Sequence, residues 1–364
     1  AQGEQIYSVS RAELNKILLD VAEDADEITL HFGQQVLGYD PDTKKAQMRD
    51  VASDRTYDID ASPLIAADGG GSPVRRAFDH MNTIRGTEHP LEHGYKELTI
   101  PPAADGSFQL EPNALHIWPR GGFMLIALPN PGGDFTLTLF MSVKGDPGFE
   151  SWSDEASARA FFETHFPDAV PLMPDFVDEA LNNPLGFLGT IRCEHWHDGG
   201  NVLLIGDAAH AIVPFHGQGM NLAFEDCVVL EQIIRHSDGD WADIFERFEQ
   251  EQRPNANAIA DMALENYVEM RDTVRDPKYV LRKELAFELE RRVPDYFIPR
   301  YSMVMFHAEI PYSVVQQRGE VQYRLLEEFT ADAASLDEVD IDAAARAATE
   351  RLPPVKDVSV DRTA

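Results

Sequence analysis

The densest chemistry in the chain lies between Leu203 and Cys227, in the run LLIGDAAHAIVPFHGQGMNLAFEDC. An apolar strand pattern ends there in Gly206-Asp207. A loop broken by Pro214, Gly217 and Gly219 follows, and a helix pattern starts at Gly219-Met220-Asn221. The first turn of a helix carries backbone N–H groups with no intrahelical partner and a partial positive charge, so it suits an anionic ligand. Gly217 and Gly219 let such a ligand approach the backbone closely. Asp207 stands at the carboxyl end of a strand, where α/β sheets bind ligands. Gly217 to Leu222 is an incomplete G-x-G-x-x-G, because the third glycine is absent. The spacing alone leaves a ligand-binding turn and an ordinary βα turn both open.

A second turn of this kind lies upstream. Leu64-Ile65-Ala66-Ala67 runs into Asp68-Gly69-Gly70-Gly71-Ser72, and a helix pattern begins near Val74. A rival constellation is Cys193, His195 and His197, which alternate along a strand-like stretch and share a face. With His210 they could surround zinc. A spacing of two on a strand is not a common structural-zinc pattern, and no C-x-x-C occurs, so no metal is expected. No G-x-S-x-G occurs either, which leaves a serine nucleophile unsupported.

The elements that must position these groups can be read in order. Ser10 and Glu13 fit a capping box, and Leu14, Ile17, Leu18 and Val21 form one apolar stripe, which predicts a helix. Strands are predicted over 28–32, 35–39, 47–51 and 56–59. From about residue 92 to 142 the texture changes to short β-rich runs between Pro and Gly breaks. The runs 95–100, 115–118, 123–128 and 135–141 predict a separate, mostly antiparallel sheet. A helix over 155–165 follows, then an apolar strand over 201–205 and a helix over 221–236. From Trp241 the chain reads as helical, with breaks at Arg253-Pro254 and at Arg292-Val293-Pro294, and ends in an acidic, Ala-rich stretch expected to be a loose tail with one helix. The expected layout is an α/β domain over 1–85, an inserted β-sheet domain over 86–185, a return of the α/β domain over 186–250, a helical region over 251–330 and a tail over 331–364.

Composition narrows the function classes. The 364 residues carry 31 Lys plus Arg against 63 Asp plus Glu, a formal charge of −32. Such a surface repels nucleic acid and anionic lipid, so neither is an expected partner. A 43% hydrophobic content supports a sizeable core, and no run of eighteen apolar residues occurs. Two cysteines cannot define a disulfide scaffold at this length, and reduced thiols in a cytoplasmic protein are expected. The chain opens Ala1-Gln2-Gly3, with no Met, signal peptide or targeting pattern.

The run GDAAHAIVPFHGQGMN, from Gly206 to Asn221, closely resembles the second FAD motif of the aromatic-ring flavoprotein hydroxylases. YSVSRAELN, HGYKELTIPP, EPNALHIWPRGGFMLIALPN, FTLTLFM, ENYVEMRD and DYFIPRYSMV resemble members of that family too, in order, over roughly residues 5 to 320. The resemblance implies an α/β fold in which an incomplete Rossmann-like FAD-binding domain is interrupted by an antiparallel-sheet substrate domain, with C-terminal helices. It implies an enzyme that uses FAD, NADPH and O2 to hydroxylate an aromatic amino acid, ortho to the amino group of an aniline ring. The amino group already activates that ring, so no strong base is needed, and a mostly apolar site with few polar handles is expected.

The resemblance also assigns roles. Arg11 would contact FAD, and Val36 would offer a backbone contact at its adenine end. Gly206 and Asp207 would sit at the ribityl chain, with Asp207 accepting from its hydroxyls. Gly219, Met220 and Asn221 would present helix-start N–H groups to the pyrimidine edge of the flavin. Asp68 and Gly69, with Arg75, would lie near the pyrophosphate and touch NADPH. On the substrate side, Leu115, Met124, Ile126 and Phe140 would cover the ring, Pro214, Phe215 and His216 would form the wall near the flavin, and Asn266, Met270 and Tyr301 would surround the amino-acid end. No catalytic side chain is implied with certainty; His216 is the one candidate for proton handling.

One departure stands out. FAD binding in this fold needs a first βαβ unit with G-x-G-x-x-G, and none precedes Ser10. An upstream arginine and tyrosine that grip the substrate carboxylate also lack counterparts. The expectation is an N-terminally truncated piece that binds FAD poorly by itself and leaves a sheet edge unprotected. A soluble, bacterial-type enzyme is expected, since no hydrophobic C-terminal segment resembles the anchor of membrane-bound relatives. Two alternatives stay open: a related hydroxylase for another aromatic substrate, and a non-catalytic remnant.

Overall fold

The computed structural model describes residues 6, 7, 9, 11–78, 84–271 and 276–360. The capping serine predicted at Ser10 lies outside them. Helix α1 (Arg11–Glu23) forms as its 3.6-residue periodicity predicts, yet none of its residues is buried, and its apolar stripe of Ile17, Leu18 and Val21 faces solvent. The strand predicted over 28–32 does not form. Ile28 is 50% and Phe32 61% exposed, and an apolar run with no partner strand and no core beneath it has nothing to hold it extended.

The next three runs form a small antiparallel sheet, β1 (Gln34–Asp40), β2 (Lys45–Asp50) and β3 (Arg55–Asp60), in that order. β4 (Leu64–Ala66) and α2 (Pro73–Phe78) then begin the α/β layer. β4 pairs in parallel with the distant β11 (Val202–Leu204), which pairs on its other side with β10 (His197–Asp198). Val202, Leu203 and Leu204 are wholly buried, the continuous apolar run expected of a strand covered on both faces. β4 is an edge of this sheet, and Ile65 on it is partly exposed.

Between these strands lies the inserted sheet: β5 (Gly86–Ile100), β6 (His116–Pro119), β7 (Met124–Pro129), β8 (Phe135–Ser142) and β9 (Gly186–Cys193), in the order β6-β7-β8-β5-β9. β9 carries it past the expected boundary at 185. Period-two alternation sorts its side chains. Leu125, Ala127, Leu137 and Leu139 point to one face and pack with Phe161, Phe162, Phe166 and Phe176 under α3 (Glu155–His165) and α4 (Phe176–Asn182). Met124 and Phe140 point to the other face.

The remaining chain is helical: α5 (Asp207–His210), α6 (Gly219–Arg235), α7 (Trp241–Arg271), α8 (Pro277–Arg292), α9 (Arg300–Phe306), α10 (Tyr312–Thr330) and α11 (Ile341–Arg351). The break predicted at Arg253-Pro254 is absent, because α7 runs through Pro254. Beside the proline, buried Asn255 donates to Glu251 O and accepts from Ser313 N and Oγ at 3.1 and 2.9 Å, tying this turn to α10. Tertiary packing therefore outweighs the local cost of proline. The break at Val293-Pro294 does occur. The stretch expected to be a loose tail packs instead. Ala344, Ala347, Ala348 and Leu352 bury against Leu281, Leu285, Leu289 and Leu325 of α8 and α10. Its acidic residues occupy the outer face, and composition averages over both faces. Among the described residues no helix is long and apolar enough to cross a membrane.

Candidate active site

Two βα turns meet at the carboxyl ends of the parallel strands. After β11, Gly206 adopts φ +56°, a conformation that an L side chain rarely takes, and α5 starts at Asp207 with its carboxylate exposed. A Cβ placed on Gly206 would sit 3.4 Å from Ala223 Cβ, so this turn rests against the first turns of α6. Buried Asp226 of α6 reaches back across that contact. It accepts from Gly206 N–H at 2.9 Å, from His210 Nε2 at 2.7 Å and from Gln252 Nε2 at 3.3 Å. The other turn, after β4, holds Asp68 and Gly69. Asp68 Oδ2 accepts from Val74 N–H at 3.3 Å, and Gly69 takes φ +83°. Arg75 joins the two turns. Its guanidinium is buried and donates to Gly70 O at 2.6 Å, Ala208 O at 2.7 Å and Glu88 at 3.2 Å. Arg75 thus turns inward between the two turns.

The loop before α6 is a single tight turn over Pro214–His216, closed by Gly217 at φ +66° with open space beside its Cα. Phe215 and His216 are buried and Pro214 is exposed. Phe215 meets Phe140 of the inserted sheet edge-on at 4.9 Å and lies flat on Tyr267 of α7 at 4.0 Å. Asn266, also buried, donates to Phe215 O at 2.6 Å, and Met270 lies one turn further along α7. Met124, Ile126, Phe140, Phe215 and Met270 therefore belong to one apolar cluster, together with Tyr95, Leu188, Val213 and Tyr267. Leu115 is not in that cluster and is 46% exposed. In the sheet register Ile117 pairs with Ile126 and shares its face.

His216 is 95% buried by its 5% exposure, and among the described residues neither ring nitrogen has a hydrogen-bond partner. Burial, aided by the nearby Arg300 cation, holds its pKa down at about 4, so the ring is neutral at pH 7. Its plane tilts 30° from the ring of Tyr301 of α9, 5.6 Å away. Burial and the Glu269 carboxylate raise the Tyr301 phenol above its usual value, which keeps it a protonated donor. On α6, Met220 and Asn221 are exposed on the first turn, and Asn221 Nδ2 donates to Gln218 Oε1 at 3.0 Å. Arg11 is exposed at the start of α1, and Val36 is partly buried against the main core.

The rival histidines go elsewhere. β9 ends at Cys193, so the stretch through His197 is not one continuous strand. His195 and His197 approach Glu249, and His210 approaches Asp226. Among the described residues no group of three or more His, Cys, Asp or Glu is placed to hold a metal ion.

Comparison with known proteins agrees with this architecture. Residues 1–263 match the FAD binding domain family model. Kynurenine 3-monooxygenase of Stenotrophomonas maltophilia is 48% identical over 337 residues, covering 93% of this chain and 73% of that protein. The Myxococcus xanthus enzyme of the same name is 42% identical over 351 residues, covering 96% and 75%. The chain belongs to the kynurenine 3-monooxygenase family. Among solved structures, 2-methyl-3-hydroxypyridine-5-carboxylic acid oxygenase superposes with a TM-score of 0.56 at 19% identity, covering 73% of this chain and 69% of that one. A Klebsiella pneumoniae HpxO variant complexed with FAD gives 0.55 at 17% identity, covering 92% and 74%. At these identities the two structures speak for the shared fold.

FAD is the cofactor of this kynurenine 3-monooxygenase family chain, and its residues fit such a group. An exposed carboxylate stands beside the open first turn of a long helix, and the glycine before that helix leaves space for a flat ring. The donors and acceptor suit a ribityl chain and a pyrimidine edge. Three further residues of this arrangement carry no role in the sequence motifs. Tyr95 and Tyr267 complete the apolar wall. The third is Asp226. Its signal was present in the sequence, as a lone carboxylate inside the α6 stripe of Leu222, Val229, Leu230 and Ile233.

Proposed function

We propose that this protein hydroxylates L-kynurenine at ring carbon 3, with NADPH supplying two electrons and O2 supplying one oxygen to the ring and one to water. The reading rests on the apolar wall of Met124, Phe140 and Phe215, held by Asn266 beside the helix start that suits a flavin. Family membership at 48% identity supports the choice of substrate. FAD, when bound, supplies the oxygen-transfer chemistry, which no side chain can supply alone.

The chain's own residues bind, orient and exclude water. Asp207 would accept from the ribityl hydroxyls, with Gly206 at the turn before it. Gly219, Met220 and Asn221 would turn N–H groups toward the pyrimidine edge, where negative charge develops on reduction. Arg11, Val36, Asp68 and Gly69 would serve the dinucleotide end and the NADPH approach. The phenyl faces and methionines hold the aniline ring and shed water from it. Neutral His216 and the Tyr301 phenol offer hydrogen bonds without adding charge to the site. The same reading divides the chain into flavin-binding segments over 1–85 and 186–250, a substrate domain over 86–185 whose sheet is completed by β9 up to Cys193, helices over 251–330 and a last segment over 331–364.

The test is oxidation of NADPH on addition of L-kynurenine to the FAD-loaded protein, with the product identified by mass spectrometry. Equimolar NADPH loss and singly hydroxylated product are expected. NADPH loss that yields only hydrogen peroxide, or no response to kynurenine, would overturn the substrate assignment.

A further inference from the structure

Asp226 is a carboxylate with no exposed surface, and among the described residues no lysine or arginine is its partner. Burying such a group is costly unless donors meet it, and here three donors engage both of its oxygens. Gly206 N–H and His210 Nε2 share Oδ2, while Gln252 Nε2 from α7 takes Oδ1. His210 is buried too, and its ring lies 4.8 Å from that of Trp196.

The location of these bonds decides what they do. Gly206 is the residue before Asp207, and it holds the left-handed conformation that turns the strand into α5. His210 is the last residue of α5. Asp226 lies two turns along the helix that begins at Gly219. One carboxylate therefore fastens both ends of the Asp207 segment to the helix whose first turn carries Met220 and Asn221. The two parts assigned to the flavin, an acceptor and a set of N–H donors, belong to segments whose relative placement passes through this one group.

We propose that Asp226, with His210, is the positioning residue of the flavin site: it holds Asp207 and the first turn of α6 in one fixed relation and so sets FAD affinity. The proposal rests on the placement of FAD at this turn, and it does not depend on which substrate is hydroxylated. Ligand-binding groups held within a fraction of an ångström need such supporting contacts.

The experiment compares the full chain with Asp226→Ala, Asp226→Asn, His210→Ala and Glu249→Ala, measuring FAD dissociation constants by flavin fluorescence and melting temperatures without FAD. Glu249 is the control, a second buried carboxylate that accepts from Trp196 N–H at 2.7 Å and is approached by His195, His197 and Arg253, with no bond to Gly206 or His210 among the described residues. Asp226→Ala should weaken FAD binding by about tenfold or more, and His210→Ala by less, since the Gly206 bond remains. Asp226→Asn should restore most of the affinity, because its amide oxygen can accept from Gly206 N–H. Glu249→Ala should lower the melting temperature and leave FAD affinity near the wild-type value. If Asp226→Ala fails to fold, the His210→Ala and Asp226→Asn pair decides. Wild-type FAD affinity in Asp226→Ala and His210→Ala, or equal loss in Glu249→Ala, would overturn the proposal. Kynurenine turnover is not among the readouts, so failure here is distinct from failure of the substrate assignment.

Discussion

Phe215 lies flat on Tyr267, ring centroids 4.0 Å apart and planes 16° from parallel. The neighbouring residue on α7, Asn266, donates to the carbonyl of the same Phe215 at 2.6 Å. A helix from the C-terminal half of the chain thereby holds the turn before α6 through one apolar and one polar contact.

Asn266→Ala should leave the buried Phe215 carbonyl without its donor. Such a loss costs about 1–3 kcal/mol. Urea denaturation should show a lower midpoint, and kcat/KM for kynurenine should fall by about tenfold as the wall loses its position. A variant with wild-type midpoint and kinetics would show that the contact carries no weight.

His216 makes stability depend on pH. Its folded pKa, about 4, lies below its ordinary 6.5, so between those values the unfolded chain binds a proton that the folded chain does not. Stability from this group is therefore fully present above about pH 6.5 and is lost as pH falls toward 4. The whole effect is about 3 kcal/mol, at about 1.4 kcal/mol for each pH unit. His216→Phe should remove this dependence. The melting temperature of the variant, measured against wild type from pH 7.5 to 4.5, should gain ground steadily below about 6.5. A difference that stays constant over the range would contradict a buried neutral ring.

Gly186 and Tyr95 share one space. A Cβ on Gly186 would fall 2.3 Å from the Tyr95 ring, so Gly186→Ala must displace that ring, which packs against the apolar cluster of Phe140 and Phe215. Overpacking of this kind costs about 1–3 kcal/mol. The same substitution in a Tyr95→Ala background should cost far less. A double-mutant cycle on melting temperature and on KM reads the coupling, and additive effects would mean the ring is free to move elsewhere.

Leu352 decides whether the C-terminal helix is part of the fold. Its side chain is buried with Ala344 and Ala348 against α8 and α10. Leu352→Ala should cost about 2–5 kcal/mol, as for other buried leucines. Protease nicking after residue 330, accelerated in the variant and slow in the wild type, is the accompanying readout.

The sequence by itself was enough for the local elements around the site. The strands over 95–141 and the helix over 155–165 are legible because period-two and period-3.6 apolar patterns act within a few residues. The Gly206–Asn221 segment is legible for the same reason, since a strand end, a glycine turn and a helix start are local events. Tertiary structure decided the rest. The parallel pairing of β4 with β11 joins segments far apart in the chain, and no local pattern specifies it. The inward turn of Arg75 depends on carbonyls of Gly70 and Ala208, which only that pairing brings together. Pro254 continues a helix, and the acidic stretch folds onto α8 and α10, because burial against distant side chains outweighs local propensity. The apolar stripe of α6 marks Asp226 as a carboxylate that folding buries, but does not name its partners. Asp226 became the hub of the Gly206 turn only when folding brought Gly206, His210 and Gln252 to its two oxygens.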